Sequence, residues 1–446
     1  MNDSESRPAR DRIVADHAQI ASLLPGAKTP WILQARRIAL DRFAQAGFPS
    51  MRDEEWKYTS VAVIEKRAFT AMPNGAGPGG LESGIATHLF ADLAGHRLVF
   101  VDGRAAPALS LVGRLPFGVS VGTLGDMLER TPEALEPFLP QIHHQTIFGS
   151  LNTAFMSDGA YVHLPRGVVL EEPIQLLFVA TSPNAAIHPR NLIVAEAGAQ
   201  ATVIEHYVGR DGVEYFTNAV TQIFAAEGAA VEHCKLQQEA AQGFHVGAIH
   251  AAQGRDSRFV SHSMAFGAAL ARNDITTQFD AAGCSATLNG LYVAGGRQHV
   301  DHHTRIDHAQ PDGTSREYYR GVLDGRSRGV FNGKVIVHAG AQHTDAEQLN
   351  HNLLLSEGSE IDTKPQLEIY ADDVKCTHGA TVGQLDDAQL FYLRSRGVEE
   401  ATARALLTYA FAQDVIDRIR IAPVRARLKQ LLLSRLPQGH RIRELA

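Results

Sequence analysis

The chain has 446 residues, 44% hydrophobic and 20% charged, with a net charge of −7 and three cysteines. That balance supports a large buried core and excludes a disordered chain, a general nucleic-acid binder and a disulfide framework. No run of about 18 apolar residues is present to span a membrane. The opening MNDSESRPARDR is polar and lacks the apolar stretch of a secretory signal, so a soluble, cytoplasmic protein is expected.

In chain order, the first clear pattern predicts a helix with Thr29 at its N-cap and Pro30 at its first position. It carries Trp31, Leu33, Ile38, Leu40 and Phe43, and Gly47 stops it. Residues 73–84 are rich in Gly and Pro and read as a flexible linker near the end of an N-terminal helical region over 1–92. Gly75-Ala76-Gly77-Pro78-Gly79-Gly80 has the form GxGxxG, but no strand feeds it and Pro78 interrupts it, so it is not a dinucleotide site.

From Arg97-Leu98-Val99-Phe100-Val101 to Gln384 the chain reads as short β-prone runs separated by similar glycine turns. The turn glycines Gly198, Gly228, Gly254, Gly283, Gly313, Gly340 and Gly358 recur at intervals of 30, 26, 29, 30, 27 and 18. Strand, corner, strand, repeated with almost no helical periodicity, is the pattern of a β-solenoid. A β-sandwich also yields many short strands, but its turns need not recur with one composition. The solenoid reading gives a mainly β core over 93–385. Stacked coils leave an open edge at each end, which must be covered or paired, and the flanking segments read as helical.

After this core, Asp386 is placed to cap a helix through Leu390 and Leu393, stopped by Gly397. A second helix shows Ala401, Ala405, Leu406, Tyr409, Val415 and Ile419 on its apolar side, and a third covers Val424–Leu436. These make a C-terminal helical region over 386–446.

The chemistry concentrates in Asp372–Gln384. Cys376 and His378 stand two apart in a strand-like segment, so they share one face, roughly 6.6 Å apart along the backbone. A thiol and an imidazole so placed can hold one soft metal centre. Cys234, Cys284 and Cys376 are far apart and no CxxC occurs, which rules out a Cys₄ site within one chain. Cys234 and Cys284 read as small buried residues.

Other patterns are declined. Gly325-Arg326-Ser327-Arg328-Gly329 has the form of a hydrolase elbow, but a strand follows it where a helix is required. The dense histidines His299, His302, His303, His308, His338, His343 and His351 are expected mostly to face outward on strands or to bond neighbouring backbone.

The block Ser327–Asp386, followed by Phe391–Val398, closely resembles the SufB/SufD family of iron–sulfur assembly scaffolds. Met51–Val61, MRDEEWKYTSV, is similar to the family's N-terminal signature. Gly379 directly after His378, where the SufB branch carries Glu, is similar to the SufD branch. The resemblance implies a right-handed parallel β-helix flanked by helical termini. It implies a non-catalytic scaffold subunit that pairs with SufB through the β-helix and docks the ATPase SufC through its C-terminal helices. It implies that His378, with Cys376 as motif companion, holds a transient Fe–S cluster at the interface with SufB. Leu390, Phe391, Tyr392, Leu393, Arg394, Arg396 and Gly397 fall on the ATPase-docking helices. A homodimer remains open when SufB is absent, and neither nucleic acid nor membrane is implied.

Two other readings stand beside this one. A stand-alone metalloprotein would use Cys376, His378 and solenoid histidines. A β-helix carbohydrate-active enzyme would use Asp301, His302, His303, Arg305 and Asp307 in a lateral groove.

Overall fold

Runs such as Ile174–Ala180 and Arg190–Ala195 are buried at every position, which is how strands covered on both faces read. The computed structural model describes residues 3–71, 85–90, 93–141 and 146–445. The linker and the glycine run placed at 73–84 lie outside the described residues.

The core is a parallel β-solenoid of about eight turns. Its strands are β1 His96–Val101, β2 Ala160–Leu164, β3 Ile174–Ala180, β4 Arg190–Ala195, β5 Gln200–Gly209 and β6 Phe216–Ala225. They continue with β7 Ala230–Gln238, β8 Phe244–Gln253, β9 Arg258–Ala265, β10 Leu270–Phe279, β11 Ser285–Ala294 and β12 His299–His308. The last are β13 Thr314–Leu323, β14 Arg328–Val337, β15 Asp345–Leu354, β16 Glu360–Ile369 and β17 Lys375–Gly383. Odd-numbered strands build one sheet and even-numbered strands the other, each strand lying beside the one a turn earlier. Phe244 lies beside Leu270 and Arg328 beside Glu360, so each turn after the first takes 26 to 32 residues; in the first, His96 lies beside Ile174.

The corners explain the glycine series. Gly198, Gly228 and Gly283 adopt φ of 72°, 65° and 75° at even-to-odd corners, which a side chain would strain. At three other corners of that side Asp256, Asp312 and His343 take the left-handed position instead. Gly358 sits on the opposite side, between β15 and β16, where Gly296 and Gly325 are the left-handed residues. The interval of 18 arises because Gly358 is not a member of the series.

Between the two sheets runs a closed bore. Near its start it is filled by an aromatic ladder, Phe100, Phe178 and Tyr207, stacked at 4.9 and 4.7 Å. Further along it turns polar, and Glu205, Lys235, Glu239 and His245 are all buried there. Burial pulls the Lys235 ammonium down to about 8 against the nearby carboxylates. Cys284 lies in this core. Cys234 is buried on the outer side of the odd sheet, and burial pushes its thiol up to about 12.

The helices lie along the solenoid's two broad faces rather than over its C-terminal edge. α1 Asp3–Ile20, α2 Pro30–Ala46 and α3 Ile147–Phe155, with Trp56, cover Phe216, Phe244, Val246 and Leu270 of the even sheet. Thr29 occupies the N-cap of α2 and Gly47 ends it, although the Thr29 side chain makes no capping bond. α3 falls inside the span 93–385 read from sequence as the mainly β core. After the solenoid come α4 Asp387–Ser395, α5 Glu400–Ile416, α6 Ala422–Arg435 and α7 Gly439–Leu445. Tyr409, Val415, Leu428 and Leu432 of α5 and α6 pack on Ile204, Leu236, Met264 and Leu291 of the odd sheet.

The two ends differ. At the N-terminal end short antiparallel segments, 104–105 on β1 and 120–123 on β2, terminate both sheets. At the C-terminal end β16 and β17 have no strand beyond them among the described residues. No described helix is long and apolar enough to cross a membrane.

Candidate functional site

β17 pairs in register with β15, placing Cys376 beside Ala346, His378 beside Gln348 and Ala380 beside Asn350. Ala346, Gln348 and Asn350 are buried in the bore. Paired residues of an in-register parallel ladder share a face, so Cys376 and His378 stand on the bore side as well. A further coil would bury them. None follows, so Cys376 is half-buried against the core and His378 is exposed.

Burial raises the Cys376 thiol above its ordinary range, opposed by a backbone hydrogen bond at Ala346 and reinforced by the Asp345 charge. A thiol held protonated in this way becomes a good metal ligand only when a cation arrives to displace its proton. Among the described residues no three His, Cys, Asp or Glu side chains are grouped to hold a metal. This end of the chain therefore offers one sulfur and one nitrogen donor.

The other histidines have different roles. His302 and His308 are buried, contrary to the outward placement expected from sequence. His302 packs against Tyr292 and Tyr319, with ring centroids 5.2 and 5.5 Å away. His308 bonds the Ser315 hydroxyl at 2.9 Å. His299 meets Thr59, His343 meets Asp312 and His351 meets Thr381. His338 lies 3.9 Å from Asp307. The segment Asp301–Asp307, considered for a lateral catalytic groove, is tied into ion pairs: Asp301 to Arg272 and His303, and Arg305 to Asp307. A groove of about 190 Å³ adjoins it, partly covered by Glu55 and Trp56.

Following the open end, α4 is capped by Asp386, whose carboxylate accepts from the Ala388 and Gln389 N–H groups. It ends at Gly397, with φ of 86°. The Gly397 N–H donates to the Arg394 carbonyl and the Val398 N–H to that of Leu393, the paired bonds of a Schellman stop. Gly397 thus acts in the helix terminus. Leu390 is buried, whereas Phe391 and Tyr392 are 75% and 58% exposed. Leu393 is half-buried, Arg394 pairs with Glu400, and Arg396 lies over the Tyr392 ring. Exposed Ile369, Tyr370 and Val382 extend the apolar surface around the last coil. Asp386→Ala should loosen α4 by about 1 kcal/mol, read as faster amide exchange at 388–391 with solenoid amides unchanged.

Sequence reasoning missed two residues at this end. Gln348 and Glu317 occupy the same register column as His378, one and two turns back respectively. The glycine spacing of about one turn, counted backward from His378, would have found them.

Residues 178–411 match the family described as SUF system FeS cluster assembly, SufBD core domain, and residues 15–176 match the SufBD protein N-terminal region. An iron–sulfur cluster assembly SufBD family protein of Synechocystis is 34% identical over 93% of each chain. The iron–sulfur cluster assembly protein SufD of Escherichia coli is 32% identical over 90% of this chain and 92% of its own. That of Bacillus subtilis is 30% identical over 64% and 65%. With both domains matched and two SufD proteins among its relatives, the chain belongs to the SufB/SufD family of iron–sulfur cluster assembly proteins, on its SufD side.

Proposed function

We propose that this chain is a non-catalytic, cytoplasmic scaffold subunit on which an iron–sulfur cluster is built for delivery elsewhere. It pairs with SufB through the open C-terminal end of its solenoid and docks the SufC ATPase through α4 and the helices after it. The nascent cluster is cargo at the shared interface. His378 supplies one donor to it and Cys376 a second, and SufB supplies the remainder.

The observation that carries this reading is the placement of one thiol and one imidazole on the bore side of an uncapped last coil. A four-donor cluster needs more ligands than that, and a second solenoid end abutting this one would both bury the pair and complete the shell. A shared shell also lets the cargo leave, because separating two surfaces removes part of its coordination. Exposed Phe391 and Tyr392, beginning eight residues beyond the last strand, give ATP-driven motion of a docked partner a short lever to that interface.

The test is anaerobic co-purification with SufB and SufC, followed by iron and sulfide analysis. His378→Ala should lower bound iron and sulfide at least tenfold while the three proteins still co-elute. A full complement of cluster in that variant would refute the assignment. So would a cluster held stoichiometrically by the chain purified alone.

A further inference from the structure

A metal-ligating histidine ordinarily donates its second ring N–H to a carbonyl or carboxylate, which fixes the tautomer and turns the other nitrogen's lone pair to the metal. Among the described residues nothing hydrogen-bonds the His378 ring. The column beneath it holds the groups for that task. Gln348 is fully buried, and its Nε2 donates to Glu317 Oε2 at 2.6 Å. With Nε2 so engaged, Gln348 Oε1 is left buried without a hydrogen-bond partner, an unfavourable state for an acceptor withdrawn from water. The amide fits in the bore because Gly333 stands across from it: a Cβ there would lie 2.1 Å from Gln348 Nε2. Gln348 and His378 are adjacent in register on one face, and neighbouring strands lie about 4.8 Å apart.

We propose that Gln348 is the positioning residue for His378, its side-chain carbonyl accepting the imidazole N–H, with Glu317 holding the amide in that orientation. This rests on His378 being a cluster ligand. The asymmetry of the amide is what makes the arrangement directional. A carboxylate at 317 accepts only, so it selects the NH₂ end of Gln348 and leaves the C=O end for the next residue in the column. Among the described residues no cation is bonded to Glu317, and burial lifts its carboxyl to about 7; above that pH the orientation is enforced.

The probe is Co²⁺, titrated to millimolar concentration into the full-length chain and followed by its thiolate charge-transfer absorption. The wild-type chain should show the band, Cys376→Ala should lack it, and His378→Ala should weaken Co²⁺ binding. Gln348→Met, similar in length without an acceptor oxygen, should weaken it at least tenfold. The exchanged pair Glu317→Gln with Gln348→Glu restores an amide donor facing a carboxylate acceptor, and should recover affinity to within about threefold of wild type. If Cys376→Ala and His378→Ala leave Co²⁺ binding unchanged, or the wild type shows no band, the ligand assignment itself falls. If both weaken it but Gln348→Met binds as the wild type does, the positioning role alone falls. Should Gln348→Met fail to fold, the exchanged pair decides: a folded double variant with affinity at the His378→Ala level overturns the proposal.

Discussion

Arg272→Ala is expected to cost about 3–5 kcal/mol, because it strands buried carboxylates without their cation. The Arg272 guanidinium is buried and lies 2.9 Å from Asp301 and 2.9 Å from Asp274. It donates to the Glu55 carbonyl at 2.6 Å and sits 3.8 Å over the Trp56 ring. Burial opposes ionisation of Asp301, but His303, Arg272 and the Thr59 hydroxyl outweigh it and hold the carboxyl far below its usual range. A carboxyl depressed in the folded state contributes fully above about pH 4 and loses that contribution as the pH falls. The substitution should therefore hurt most at neutral pH. The expected readouts are a lowered urea midpoint and a red-shifted Trp56 emission, since the ring loses its cover and the segment around it its anchor. A loss below about 1 kcal/mol with unchanged fluorescence would show the network to be idle. Lysine should not rescue, because it cannot serve two carboxylates, a carbonyl and a ring face together.

Glu317→Gln should have the opposite effect and should stabilise the protein at pH 8. Burial raises the Glu317 carboxyl to about 7 from its ordinary value of 4.5. Between those values the unfolded chain releases a proton that the folded chain keeps, so stability falls as pH rises. Above about pH 7 the loss is complete and amounts to about 3 kcal/mol. Glutamine has nearly the same shape and no charge to bury, so the variant escapes that loss. Chemical denaturation at pH 4.5 and pH 8 checks this. The two proteins should match at the lower pH, and the variant should lead by about 1–3 kcal/mol at the higher. A variant weaker than the wild type at pH 8 would mean that the carboxylate is better paired than its surroundings indicate.

Much of this was legible in the sequence because the solenoid repeats itself. Glycine turns at near-constant spacing mark each coil, and the Cys376–His378 pair was readable from β-strand periodicity alone. The helix after the core was equally plain, since Asp386 and Gly397 are a start and a stop with direct chemical roles. The direction in which the helices fold back was not legible, because an apolar stripe states that a face is buried without stating against what. The buried histidines were missed for a related reason. His302 and His308 lie inward because aromatic rings and a serine hydroxyl meet them there, and those partners come from strands of the facing sheet. Arg272 was invisible for the same reason: its partners Glu55 and Trp56 are more than two hundred residues away. That contact also gives the signature Met51–Val61 a physical role, since Glu54, Glu55, Trp56 and Thr59 tie the N-terminal region to the even sheet.

The unlike ends of the solenoid limit how such chains can associate. A coil open at both ends could accept a neighbour at each, and repetition of that contact would grow a filament. Here short antiparallel segments end both sheets at the first coil, whereas among the described residues the two long strands of the last coil have no strand beyond them. Joining through that surface uses up both reactive edges at once. If two chains join in this way, growth stops at two, and a cargo held at the junction would have one address and not a series of them.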